Sequence, residues 1–347
     1  MRRLGWPGAL GLGVSVLLLW WTLHDVSLRE VLRHLRAARP LPFLGAVVLA
    51  TATFPIRTIR WRSLLQRNGA RLPFVPLWHA TAIGFMANNL LPARAGELAR
   101  AYAARRLTGV RFTAAMGSVA VERVFDGLVL VGLLAAGIAL GGFAHGIAVG
   151  GVALARLATG ATIAFVAALG FAFWLVHWPA PALRVARWSA ERVMPRRWAA
   201  RAVGFLEGLL GGLDALKSPR RFALVVVWSL VLWLVSAASY WLASMALGLQ
   251  VPASSALLLQ GLIAFGVAIP SSPGFFGPFE AVTRATLGLY GVAATQAVTY
   301  AVAYHLAVFV PISLLGLWSL SRAHVHLADL GATVRAAEEA GGAGEQP

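Results

Sequence analysis

Apolar residues fall in long blocks along this chain, separated by short stretches rich in arginine. Six blocks, roughly 4–23, 42–61, 114–142, 150–177, 222–248 and 294–320, are long enough to be spans. A helix rising ~1.5 Å per residue needs about 20 apolar residues to cross a ~30 Å hydrocarbon layer. Two further apolar stretches are shorter or broken: 75–91, and the pair 253–269 and 279–291, bounded by Pro and Gly. Half-helices of that length fit re-entrant hairpins, whose freed backbone groups find partners inside the protein. The pattern predicts an all-α integral membrane protein with about six full transmembrane helices and two re-entrant, Pro/Gly-broken helical hairpins.

Composition agrees. Hydrophobic residues make up 59% of the chain and charged ones 12%, about half the share of a soluble domain. The mean hydropathy is +0.74. There is no cysteine, so a disulfide framework or a thiol nucleophile is excluded. The run Leu4–Leu23 ends at Trp20-Trp21 without a small-residue cleavage site, and reads as a retained first helix rather than a signal peptide.

The net charge of +17 raises nucleic acid as a partner, but the arginines sit in short loops between spans, where they set topology and meet anionic headgroups. With both termini in the cytoplasm and 75–91 re-entrant, 23 of the 30 basic residues fall on the inner side; a full crossing at 75–91 would move two large clusters outside. Arg29, Arg33, Arg36 and Arg39 do not comply. Val26–Ala38 places Leu28, Val31, Leu32 and Leu35 on one face against these arginines, as an amphipathic interfacial helix would. A second amphipathic segment, about 182–217 with Trp188 and Trp198, is expected on the cytoplasmic surface, as a lipid-facing helix or a solvated linker. Residues 1–322 read as one transmembrane domain, and 323–347 as a cytoplasmic tail, partly disordered at its end.

The element order, span, span, re-entrant element, span, occurs twice. Three crossings per half would invert the second, suggesting an inverted repeat with halves 1–142 and 150–320, as in transporters.

The candidate chemistry lies at the breaks. In Asn88-Asn89-Leu90-Leu91-Pro92-Ala93-Arg94-Ala95-Gly96-Glu97, Pro92 and Gly96 force the helix to stop and restart. Arg94 is placed to clamp a lipid phosphate and Asn88 and Asn89 to donate to its oxygens, with Glu97 pairing with Arg94 or Arg100 or carrying a proton. The alternative is a headgroup-level helix start with Glu97 at its positive end. In the second break, Pro270–Glu280, the spacing of Glu280 and Arg284 predicts an i,i+4 ion pair, either functional or a lock on the hairpin. Glu122, Arg123 and Asp126 lie early in the third span, with Arg123 in reach of Asp126, and are intramembrane or interfacial according to where the hydrocarbon begins. Arg57 and Arg60 close the second span and are expected to snorkel to headgroups. Tyr300, Tyr304 and His305 in the last span line a pathway or serve as packing hydrogen-bonders. No hydrolase, zinc-protease or phosphate-loop signature occurs, and no catalytic residue, cofactor or metal is expected.

Three segments carry a resemblance: Asn88–Arg100, Gly117–Asp126 and Pro270–Ala281. Together they resemble the signature regions of the flippase-like transmembrane domain that forms the N-terminal part of lysylphosphatidylglycerol synthases and also occurs in stand-alone proteins, some linked to hopanoid lipids. The likeness runs over about 5–322. Family members often carry a second Gly where Phe275-Phe276 stands, so substrate type does not transfer. The resemblance implies movement of a lipid or lipid-linked molecule between leaflets of a bacterial inner membrane. Its partners would be anionic or headgroup-bearing lipids and an enzyme of lipid biosynthesis. The synthase domain has no room after residue 320, so the chain reads as non-enzymatic. The alternatives are a membrane enzyme or subunit using Glu122, Asp126 or Glu97 as acid or base, and a scaffold for such an enzyme.

Overall fold

The computed structural model describes residues 6–67, 70–91, 95–141, 178–195, 218–268 and 271–323, with isolated positions between 148 and 174 and between 198 and 204. It is an all-helical membrane protein. Four described helices are long and apolar enough to cross a membrane: α3 (Pro40–Leu64), α6 (Phe112–Leu140), α8 (Pro219–Ala246) and α11 (Ala294–Ala323). A fifth span results if α1 (Trp6–Leu23) and α2 (Leu28–Arg36) count as one, although they bend by 77° at the intervening break. Six full spans are therefore not seen among the described residues. The block 150–177 lies largely outside them: Ala148–Val149 pairs with Val152–Ala153, and the isolated described positions from 156 to 174 are helical.

The spans turn Leu and Val outward. Leu44, Val48, Val227, Leu314 and Leu317 are all exposed, as helix faces solvated by lipid should be. Thr51, Thr58, Thr81, Thr286 and Thr299 donate to the carbonyl four residues before them, which satisfies their hydroxyls within the helix.

Both broken stretches are helical hairpins. α4 (Phe74–Leu90) packs along α5 (Gly96–Thr108), and α9 (Ser254–Gly266) packs along α10 (Pro278–Gly288). Asn88 Oδ1 accepts the Gly96 N–H at 2.9 Å, so the end of α4 caps the start of α5. In the second loop, Pro273–Phe275 forms a 3-10 turn in which Gly274 (φ 74°) and Phe275 (φ 61°) are both left-handed. Each hairpin has its own apolar core, one around Trp61, Leu77, Ile83 and Met86, the other around Leu259, Ile263, Phe279 and Tyr300.

The helix contacts map onto themselves when α3, α4, α5 and α6 are exchanged for α8, α9, α10 and α11. α4 packs on α11 and α9 on α6, each hairpin lying against the last span of the other half. α3 packs on α8, its own counterpart, and the two run antiparallel: Ser239 donates to Ala46 O near one end and Arg60 to Ser229 near the other. A helix meets its counterpart antiparallel when the second half is inverted.

α7 (Pro179–Val193) carries exposed Trp188, with Arg192 stacked 4.0 Å from its ring centroid; the rest of 182–217 is mostly outside the described residues, as is the tail.

Candidate functional site

Two clusters of ionisable side chains are buried among these helices. The first joins α3, α5, α6 and α8. Arg60 donates to Asp126 Oδ1 at 2.5 Å and Oδ2 at 3.2 Å, to Glu122 Oε1 at 3.4 Å, and to Ser229 at 2.9 Å. Arg100 donates to Glu122 Oε2 at 2.5 Å and lies over the Trp61 ring at 3.7 Å. Trp233 donates to Asp126 Oδ1 at 2.9 Å. Arg57 approaches Asp126 only to 4.0 Å and sits between the rings of Phe85 and Trp233, 4.9 and 5.0 Å from their centroids. Three buried guanidiniums thus face two buried carboxylates. At the exposed edge Arg123 adds ion pairs to Glu97 at 3.7 Å and to Asp126 at 3.4 Å. The periphery adds one charge of each sign, so among the described residues the cluster keeps an excess of one positive charge, and Arg57 is its cation with the weakest carboxylate contact.

This corrects several expectations. Arg57 and Arg60 do not snorkel; they turn inward because Glu122 and Asp126, one turn apart on α6, face them. Glu122 and Asp126 are accordingly buried against these arginines inside the helix bundle. Glu97 does not pair with Arg100, whose guanidinium is taken by Glu122. The amide of Asn89 donates to Ser313 at 3.0 Å and Phe309 O at 3.4 Å, and Asn88 caps α5, so both amides bond within the fold. Arg94 lies outside the described residues.

The second cluster joins α10, α11 and the loop before α10. His305 contacts Glu280 Oε1 through Nδ1 at 2.5 Å and Gly274 O through Nε2 at 2.9 Å, and Glu280 Oε2 accepts the Gly277 N–H at 2.7 Å. Glu280 and Arg284 do not form an ion pair. Arg284 is one turn further along α10 and reaches α1, donating to Trp21 O, Thr22 O and both oxygens of Asp25, the last at 2.8 and 2.5 Å. Tyr300 and Tyr304 are bonded to Tyr240 O and Ser239 on α8, which makes them packing hydrogen-bonders.

The hydrogen bonds from Arg284 hold the Asp25 carboxyl below its ordinary value. A depressed folded value means that this tether stabilises the protein above the ordinary carboxylate range and is lost as pH falls through the folded value. The difference in melting midpoint between native and Asp25→Asn chains is expected at pH 6 and should shrink as pH falls below the ordinary carboxylate range.

The family model described as "Lysylphosphatidylglycerol synthase TM region" matches residues 8–316, which include every named side chain of both clusters. This chain belongs to that family. Among curated proteins, the member is similar to a protein named glycosyltransferase AglD from Haloferax volcanii, 31% identical over 300 residues that cover 78% of this chain and 47% of the relative. The chain thus spans about half the length of that relative. This family member is a multi-pass membrane protein in which Arg100, at the end of the first motif, meets Glu122 of the second in the arginine cluster, and residues 271–281 of the third form the loop and helix start of the Glu280 cluster. Sequence reasoning missed Arg57, Arg60 and Arg100 as members of one site, together with Ser229 and Trp233. The signal that was present is the spacing: arginines at i,i+3 on one span and acids at i,i+4 on another place each pair on a single helix face.

Proposed function

We propose that this chain carries an anionic lipid or lipid-linked phosphate between the leaflets of the inner membrane, with both termini in the cytoplasm. One observation carries this reading: the arginine cluster is buried among helices long enough to cross a membrane, and among the described residues it holds one positive charge more than its carboxylates balance. Buried charge without a partner is costly, and a phosphate is the natural counter-ion for a guanidinium held between aromatic rings. Arg57 is the group that meets it; Arg60 and Arg100 hold the site open by engaging Asp126 and Glu122. The exchange of helix contacts between the halves supports an inverted repeat, with halves 1–142 and 150–320, and inverted repeats allow one half to rock against the other around a fixed site.

The name of the archaeal relative favours one second reading, a membrane part that holds a lipid-linked sugar for a transferase. Against Glu122 and Asp126 as its acid or base stands the guanidinium contact that each makes. The two readings separate in sealed proteoliposomes carrying labelled phosphatidylglycerol. Protein-dependent movement between leaflets is expected, and Arg57→Gln should slow it at least ~10-fold, the effect of losing about 1.4 kcal/mol of binding. Lipid that stays in its leaflet, with sugar-transfer product forming in micelles, would overturn transport in favour of the second reading.

A further inference from the structure

We propose that Glu280 and His305 form a proton-binding latch on the second hairpin, and that the proton held there is the ion whose movement drives this transporter. The latch stands on geometry; the coupling rests on the transport reading.

Both nitrogens of the His305 ring face oxygen atoms. A backbone carbonyl only accepts, so Nε2 carries a proton toward Gly274 O. The 2.5 Å contact between Nδ1 and Glu280 Oε1 needs a second proton between them. With that proton present, whichever atom formally holds it, every bond is made. If it leaves, the Nδ1 lone pair faces the lone pairs of the carboxylate and the contact becomes repulsive.

What this contact holds is strained at Phe275, which is left-handed beside Gly274, and Gly277 has φ 99°. His305 bonded to Gly274 O and Glu280 bonded to Gly277 N–H hold this loop, together with the Ser272 N–H given to Ser15 Oγ at 2.8 Å on α1. A side chain such as Phe275 keeps a left-handed backbone only where its surroundings hold it there. Releasing the proton therefore loosens a loop that already tends to rearrange. Phe276, Phe279 and Phe309 pack around the ring, and the pair is buried, so opening of the hairpin and access of water go together.

The other half shows why this pair is the movable one. Glu122 is the eleventh residue of α6 and His305 the twelfth of α11, at corresponding heights in the exchanged halves. In both halves an acid–base pair ties the return helix of the hairpin to the span that follows: Arg100 of α5 to Glu122, and Glu280 of α10 to His305. The signs are swapped, and the partners differ in kind. A guanidinium does not lose its proton, so the first hairpin is locked at every pH, whereas an imidazole can give its proton up. Among the described residues, the remaining ionisable groups around the pair are Arg284, already bound to Asp25 on the α1 side, Tyr304 and Tyr300 on α11, and Tyr240 on α8. Arg284 and Asp25 cancel one another, and phenols stay neutral in the range where imidazole titrates.

The chain has no cysteine, so a single Ser271→Cys reports on the loop. Its labelling by a membrane-impermeant maleimide is compared with that of the same cysteine in Glu280→Gln, where the amide accepts from Gly277 N–H and donates to neutral His305, as the protonated pair does. The ratio of the two rates removes the ionisation of the thiol itself. It is expected to be near one in acid and to rise by about tenfold per pH unit as the pair deprotonates. His305→Gln, which also lacks the titrating ring, should match Glu280→Gln if that variant folds poorly. A flat ratio between about pH 5 and 9 overturns the latch. In proteoliposomes, one pH unit across the membrane should hold labelled phosphatidylglycerol at about a tenfold leaflet ratio at one proton per lipid, and Glu280→Gln should abolish that bias. Lipid movement indifferent to the gradient overturns the coupling while leaving transport in place. A ratio that rises with pH while no lipid moves keeps the latch and removes transport.

Discussion

Glu122→Ala is expected to destabilise the folded protein by about 3–5 kcal/mol, the cost of stripping one partner from a buried charge pair. The substitution leaves Arg100 without its carboxylate and Arg60 with Asp126 alone. Two Arg100 nitrogens, Nε and Nη2, already lack a hydrogen-bond partner, so stacking on Trp61 would be all that remains for a fully buried cation. Against a total stability of about 5–15 kcal/mol, this loss is large enough to show as poor recovery from membranes and a lowered melting midpoint in detergent. Glu122→Gln should cost less, because an amide oxygen still accepts one of the bonds. Adding Arg100→Met to Glu122→Ala should recover part of the loss, since the orphaned charge goes with it. If the double variant is instead as unstable as the sum of the singles, the pair is not coupled and buried charge is not what the cluster balances.

The spans and hairpins were legible in the sequence because they depend on local quantities. Runs such as 42–61, 114–142, 222–248 and 294–320 are apolar over a membrane's width, and the helices match them to within three residues at either end. Pro and Gly at 92–96 and 270–278 marked where backbone must break, and both stretches fold back as helical hairpins. The arginine cluster was not legible in the same way. Arg60 lies 62 and 66 residues from its two carboxylates, and a basic residue near the end of an apolar run looks the same whether it reaches out to headgroups or inward to an acid. Its helix is fixed by hydropathy; its direction is fixed by Glu122 and Asp126, on a helix whose place beside α3 hydropathy does not give. Glu280 and Arg284 failed for the related reason that i,i+4 spacing permits a pair without requiring one. Backbone oxygens at the end of α1 and the Asp25 carboxylate offer Arg284 more acceptors than Glu280, which His305 and Gly277 already occupy.

Gly137→Ala and Gly316→Ala are expected to damage the fold to a similar degree, each by about 1–3 kcal/mol and toward the upper end of the range for overpacking. On α6, a Cβ at Gly137 would lie 2.5 Å from Leu258 N and 2.9 Å from its Cα on α9. On α11, a Cβ at Gly316 would lie 2.7 Å from Ala82 O on α4, and would also overlap Met86. Backbone atoms cannot swing aside as a side chain can, so each substitution must push a hairpin off the last span of the opposite half. Small residues at such crossings are what lets membrane helices approach closely enough for dispersion to hold them where no hydrophobic force acts between them. The control lies on α6 itself. Gly127 has open space around its Cβ position, and Gly127→Ala should be neutral or stabilise by up to about 1 kcal/mol through helix propensity. If the halves are equivalent, the two damaging variants should also share a phenotype, loss of hairpin protection from amide exchange confined to 74–108 for Gly316→Ala and to 254–288 for Gly137→Ala. Damage from only one of them would mean that the two crossings bear unequal loads and that the exchange of contacts describes the shape of the halves but not their energetics.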